Sequence, residues 1–167
     1  KYTNLIELLD RLLNNDIHLD FILLCETFLH EGNDNLFHIP GYNFISKNRS
    51  TMKRGGVAMY IREGIEYKKR EDLDIFVEGE FESIFVETYY QNQTTVIGEV
   101  YRVPNNNMAL SISRYEEILS KVKDHENVII GTDQNSDLLK LEQHKPTSDL
   151  LDNFIASSLI PTITKPT

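Results

Sequence analysis

Residues 83–90 (SIFVETYY) and 94–103 (TTVIGEVYRV) are dense in β-branched and aromatic side chains, and only QNQ separates them. Two such runs on so short a connection predict an antiparallel hairpin, because residues of this type pack well on a pleated surface and a short loop returns the chain beside itself. Pro104 ends the second strand, having no N–H to give to a ladder.

The other segments arrange themselves around that hairpin. Leu5, Ile6, Leu8, Leu9, Leu12 and Leu13 recur at helical spacing, so residues 2–14 should form an amphipathic helix. The run DFILLC (residues 20–25) reads as a buried strand, and residues 29–35 as a polar, turn-rich loop. Pro40 and Gly41 turn the chain into a strand at 42–46. Gly55 and Gly56 stand before an alternating strand, VAMYI (57–61), which suggests another hairpin with close backbone approach. Glu63 and Gly64 lead into a strand at 65–68, after which the acidic stretch 70–82 reads as loop with a short edge strand at 75–77. A helix over 112–123 capped by Ser111, a strand at 128–131 and an irregular stretch at 138–145 come next. From Pro146 a further helix sets Leu150, Leu151, Phe154, Ile155 and Leu159 on one face, and a last strand follows Pro161. Without repeats or a linker, this order implies one α/β domain with antiparallel sheet in its core and helices outside.

Composition narrows the function. No window approaches the 18 or so apolar residues a membrane span needs, and the start has helical spacing instead of a signal peptide's apolar block, so the chain reads as neither spanning nor secreted. Cys25 is the only cysteine; lying in FILLCE, it reads as a small buried hydrophobe, and lacking an internal partner it mildly favours a reducing, intracellular compartment. A net charge of -9 argues against holding nucleic acid by bulk attraction, yet it suits an enzyme that sets a divalent cation between its carboxylates and a phosphate. Basic residues cluster at Lys47, Arg49, Lys53 and Arg54, in a loop fit to face phosphates, and at Lys68, Lys69 and Arg70, which read as a solvated face. None of the five histidines has zinc-ligand spacing, and neither a Gly-rich phosphate loop nor a nucleophile elbow occurs.

Polar residues stand at the ends of several of these strands. In NVIIGTDQNSDLL (127–139) the run Val128, Ile129 and Ile130 predicts a strand buried on both faces, closed by Gly131. Asp133 and Asn135 follow; on extended backbone, residues two apart point the same way, so a carboxylate and a carboxamide would aim at one spot. Turn formation after a strand explains the same residues equally well. Glu26 leaves the strand 20–25, where a carboxylate is costly unless paired or bound to a cation; a surface Glu opening a loop is the competing account. Tyr101 lies near the exit of its strand on the face shared with Glu99 and Val103, and simple packing competes there.

Taken together and in this order, Glu26-Thr27, Tyr101-Arg102-Val103-Pro104 and Gly131-Thr132-Asp133-Gln134-Asn135 resemble the marks of the endonuclease/exonuclease/phosphatase family: a metal-binding Glu in an E-T segment, a Tyr in Y-R-x-P, and G-D-x-N. Thr132 stands between the Gly and the Asp, where the family's segment is usually tight. PGYNFISKNRSTMKRGGVAMYI is similar to one branch, the apurinic-like endonuclease domains of non-long-terminal-repeat retrotransposons.

The resemblance implies a DNase I-like, four-layer α/β sandwich of two mainly antiparallel sheets flanked by helices, here incomplete. It implies that Glu26 holds magnesium, or manganese in its place, that Asp133 activates water, and that Asn135 and Tyr101 hydrogen-bond the scissile phosphate. Charge, not motif, suggests Arg49, Lys53 and Arg54 for the DNA backbone. The family's first-strand Asn and its last Asp-His pair have no counterpart here, so the expectation is a piece of a longer chain that cleaves DNA poorly alone. DNA, nicked to prime a reverse transcriptase in the same longer chain, is the implied partner, and the nucleus the implied place of action. A phosphatase or phospholipase on the same fold, and a catalytically silent binding module, are the competing readings.

Overall fold

The computed structural model describes residues 2–30, 37–90, 92–136 and 144–162. Its elements run α1 (Tyr2–Leu13), β1 (Phe21–Cys25), β2 (Tyr42–Lys47), β3 (Val57–Arg62), β4 (Tyr67–Lys69), β5 (Phe76–Val77), β6 (Phe81–Tyr90), β7 (Gln93–Arg102), α2 (Met108–Val122), β8 (Asn127–Asp133) and α3 (Lys145–Ala156). The expected irregular stretch at 138–145, most of the loop at 29–35 and the last strand lie largely outside the described residues.

Two sheets form. One has the order β1-β3-β2, all antiparallel; the other runs β4-β6-β7-β8, with β5 also on β6. The hairpin of β6 and β7 is the longest ladder, pairing Phe81 with Arg102 through to Tyr90 with Gln93. Helix α2 carries the chain from β7 to β8, which can therefore lie parallel to β7.

Alternation along the strands builds the layers. In β3, Val57, Met59 and Ile61 face the second sheet and meet Ile84, Val86, Ile97 and Tyr101. Tyr60 faces the other way and packs with Leu9 of α1, Ile22 and Ile39. The opposite face of the second sheet, Phe81, Phe85, Val96 and Val100, is covered by Met108, Tyr115, Ile118, Leu119 and Val122 of α2 and Leu150 of α3. The result is four layers, helix, sheet, sheet and helix, with each sheet buried on both faces near its centre. No helix among the described residues is long and apolar enough to cross a membrane.

Three local expectations need correcting. β8 is not buried on both faces: it ends its sheet among the described residues, and Ile129 is 54% exposed because it points to the inter-sheet side beyond the reach of the smaller sheet. Its other face, Val128 and Ile130, does pack against the helices. Helix α2 starts earlier than expected; Asn107 caps it, its side chain accepting from the Ala109 N–H at 2.9 Å, while Ser111 is buried one turn inside. Leu8, Leu13 and Ile155, assigned to apolar helix faces, are about half exposed, at 50%, 48% and 57%.

Gly98 lies opposite Phe85, and a Cβ there would overlap the Phe85 ring. The aromatic thus fills the space a side chain would need. Gly98→Val should destabilise the chain by about 1–3 kcal/mol, read as a lower thermal midpoint, whereas a Val accommodated without loss would show that the ring moves freely.

Candidate active site at the strand ends

The sheets bring one set of strand ends together. Across β6, β7 and β8, Glu82 lies beside Tyr101 and Tyr101 beside Asp133, so these three side chains form a row on the inter-sheet face. β1 delivers Glu26 from the facing sheet. Tyr101 is 3% exposed, with its ring in the inter-sheet core, and its hydroxyl donates to Glu26 Oε1 at 2.8 Å. Packing and polar contact are therefore both true of Tyr101. Burial, reinforced by the Glu26 carboxylate, pushes its pKa up, so it remains a hydrogen-bond donor.

Asp133 closes the opposite side. The Cys25 thiol approaches its Oδ2 at 4.0 Å, a weak donor contact, and burial together with Glu99, Asp133 and Glu26 pushes that thiol up to about 12. Cys25 is thus half-buried beside a carboxylate, not simply a core hydrophobe. Thr132 faces the helices, sharing a hydrogen bond of 3.0 Å with the Tyr115 hydroxyl, so its presence leaves Asp133 on the cleft side.

Asn135 is mounted differently from expectation. The strand ends at Asp133, and Asn135 has φ +47°, so the extended alternation that would align the two side chains stops short. Instead the Asn135 N–H donates to Asp133 Oδ1 at 3.1 Å, a local turn, while its Nδ2 donates to the Arg102 carbonyl at 2.8 Å. The turn-forming account and the site account each describe part of this segment.

Two contributors escaped sequence reasoning. Arg102 is 4% exposed and donates to the carbonyls of Gln134 at 2.7 Å, Asn135 at 3.0 Å and Asn106 at 3.2 Å, latching the loop that carries Asn135 to the end of β7. Glu99, also 4% exposed, sits beside Gly131, where a Cβ would come within 2.5 Å of its Oε2. Burial first, and the Asp133 charge second, raise Glu99 to about 8. A lone carboxylate inside TTVIGEVYRV was the available signal.

The basic loop is the clearest correction. Arg49 is 6% exposed and bonds Glu82 through Nε, and Lys47 pairs with Asp74 at 2.8 Å, so neither is a free surface cation. Glu78 accepts from the backbone and hydroxyl of both Ser50 and Thr51, and those bonds hold its carboxyl down near 2. The acidic stretch read as loop is thus the partner of the basic one. Lys53 and Arg54 remain exposed. Arg70 is bound to Asp72 and Glu87, while Lys68 and Lys69 are exposed, as a solvated face requires.

With the geometry in place, known proteins supply a comparison. No model of a protein family matches the chain, and no curated protein matches it in sequence. Solved structures do: an endonuclease/exonuclease/phosphatase family protein from Bacteroides thetaiotaomicron superposes with a TM-score of 0.54 at 13% identity, over 87% of this chain and 58% of that one. The chain therefore has the DNase I-like fold of such proteins. The endonuclease domain of TRAS1, a telomere-specific non-LTR retrotransposon, has the same fold, with a TM-score of 0.66 at 11% identity, over 91% of this chain and 64% of that one. D. rerio TDP2 complexed with single strand DNA product matches with a TM-score of 0.55 at 12% identity, over 93% of this chain and 58% of that one. The chain thus spans about three fifths of the length of these structures.

Glu99 generates a pH prediction. Its folded pKa of about 8 lies above the ordinary carboxylate value of 4.5, so between those values the folded state holds a proton the unfolded state releases. Stability should fall as pH rises from about 5 to 9, by up to a few kcal/mol, and Glu99→Gln should flatten that slope. Denaturant midpoints across this range test it; an unchanged slope in the variant would place the titration elsewhere.

Proposed function

We propose that the chain is the core of a metal-dependent phosphodiesterase acting on DNA, related to the retrotransposon endonucleases. The observation that carries this reading is the convergence of Glu26, Tyr101 and Asp133 at one end of the two sheets, with Tyr101 bonded to Glu26.

The donor set fits magnesium. Glu26 offers one half-buried carboxylate, and magnesium takes one or two carboxylates while keeping water and phosphate oxygens as its other ligands. Among the described residues no group of three His, Cys, Asp or Glu side chains is placed to hold a metal ion, so the reading rests on Glu26 with water and phosphate oxygens. When bound, the ion supplies neutralisation of charge growing on the phosphate and on the leaving oxygen.

The protein's own groups do the rest. Asp133 accepts the proton of the attacking water as its oxygen bonds to phosphorus. The P–O3′ bond breaks, and the departing oxygen takes a proton from solvent to leave a 3′-hydroxyl and a 5′-phosphate. Tyr101, held as a phenol, has its one hydrogen on Glu26 Oε1 and would hand that bond to a phosphate oxygen when the Glu26 carboxylate turns to the ion. Asn135 Nδ2 keeps one hydrogen after bonding the Arg102 carbonyl and directs it to the same phosphate. Lys53 and Arg54, exposed on the loop after β2, steer the DNA backbone. DNA as substrate is supported by the fold shared with the TRAS1 endonuclease domain and with TDP2 bound to single strand DNA product. A reverse transcriptase in the same longer chain and action in the nucleus belong to this proposal.

Nicking of supercoiled plasmid in magnesium, at the low rate expected of this piece alone and followed at high protein concentration, is the test. Chelation should stop it, and Glu26→Ala and Asp133→Ala should each lower the rate at least about 100-fold. Nicking that survives both substitutions would contradict the assignment.

A further inference from the structure

We infer that Glu82, which lies behind the candidate site, is the positioning residue for Glu26 and acts on it through the Gly55-Gly56 backbone. Glu82 is wholly buried, and it holds the β2–β3 connection at two points: its carboxylate accepts from Arg49 Nε and from the Gly56 N–H at 2.7 Å. Gly55 and Gly56 in turn hold the segment after β1. The Phe28 N–H donates to the Gly55 carbonyl at 2.9 Å and the Thr27 N–H to the Gly56 carbonyl at 3.3 Å.

That short ladder grips an unusual backbone. Glu26 has φ +52° and Phe28 φ +57°, conformations that residues with a Cβ keep only when their surroundings impose them. Glycine is required on the gripping side: Gly56 has φ +87°, and a Cβ there would stand 2.6 Å from Thr27 Oγ1, while a Cβ on Gly55 would overlap the Arg49 guanidinium. Glu82 thus fixes where the loop's carbonyls lie, the carbonyls fix Thr27 and Phe28, and these fix the direction in which Glu26 leaves β1. The row Glu82, Tyr101 and Asp133 explains the placement: one carboxylate of the row anchors the loop, the phenol touches Glu26 directly, and the last carboxylate faces the reaction. The inference uses the phosphodiesterase reading only in taking Glu26 as the ion's ligand.

The test uses the whole chain and two readouts. Manganese alone, titrated and followed by the EPR signal of the free ion, reports affinity; amide exchange at Thr27 and Phe28 reports the ladder. Glu82→Gln should speed exchange at both amides and weaken manganese binding about 10-fold, and Arg49→Lys should move both in the same direction by less. Leu150→Ala, a cavity in the core under the opposite helices, should lower stability and leave both readouts of the folded chain unchanged. If Glu82→Gln and Arg49→Lys fold with exchange at Thr27 and Phe28 as in the unmodified chain, the inference is overturned. If Glu26→Ala leaves manganese affinity untouched, the metal reading fails by itself, and the exchange result still decides the role of Glu82.

Discussion

The apolar layer between the two sheets is the constraint on which the rest depends. Val57, Met59 and Ile61 from one side and Ile84, Val86 and Ile97 from the other fix the sheets face to face. With the sheets fixed, the exits of β1, β7 and β8 lie at one end, and the side chains they carry need not be adjacent in sequence to meet. Tyr101 belongs to both worlds, its ring part of that layer and its hydroxyl on Glu26. Such a residue is oriented by packing, so its hydroxyl has little conformational freedom left to lose in any polar contact it makes.

Charge is organised by the same geometry. A net charge of -9 reads as an acidic surface, yet part of the acidic segment that runs into β6 is spent on the segment that leaves β2, through Lys47 with Asp74, Arg49 with Glu82, and Ser50 and Thr51 with Glu78. Buried ion pairs contribute little net stability, because desolvation offsets their attraction, but breaking one leaves an uncompensated charge and is expensive. The Arg49–Glu82 and Lys47–Asp74 pairs act here as fasteners between the segment leaving β2 and the segment entering β6 rather than as sources of free energy.

How far the chain could be read in advance followed from where the information lay. The β6-β7 hairpin is encoded locally, in β-branched density and a short turn, and it forms as expected. The convergence of Glu26, Tyr101 and Asp133 was legible because each is a polar residue at the exit of an apolar strand. The position of β8 was not, since an apolar run looks the same at the edge of a sheet as at its centre. Nor could periodicity show that Asn135 would leave the extended conformation, because a carboxylate two residues earlier captures its N–H. Arg49 misled for a related reason: exposure cannot be read from a loop's composition when the partner, Glu82, lies 33 residues on.

The central claim, that a cation and a phosphate meet at these strand ends, is tested most directly by adding manganese to isotope-labelled protein and locating the paramagnetic broadening. The account predicts loss of signal from Cys25 to Phe28 and around Tyr101 and Asp133, with the amides of α3 and β4 sharp. Broadening centred on the acidic residues between β4 and β6, with Glu26 unaffected, would contradict it.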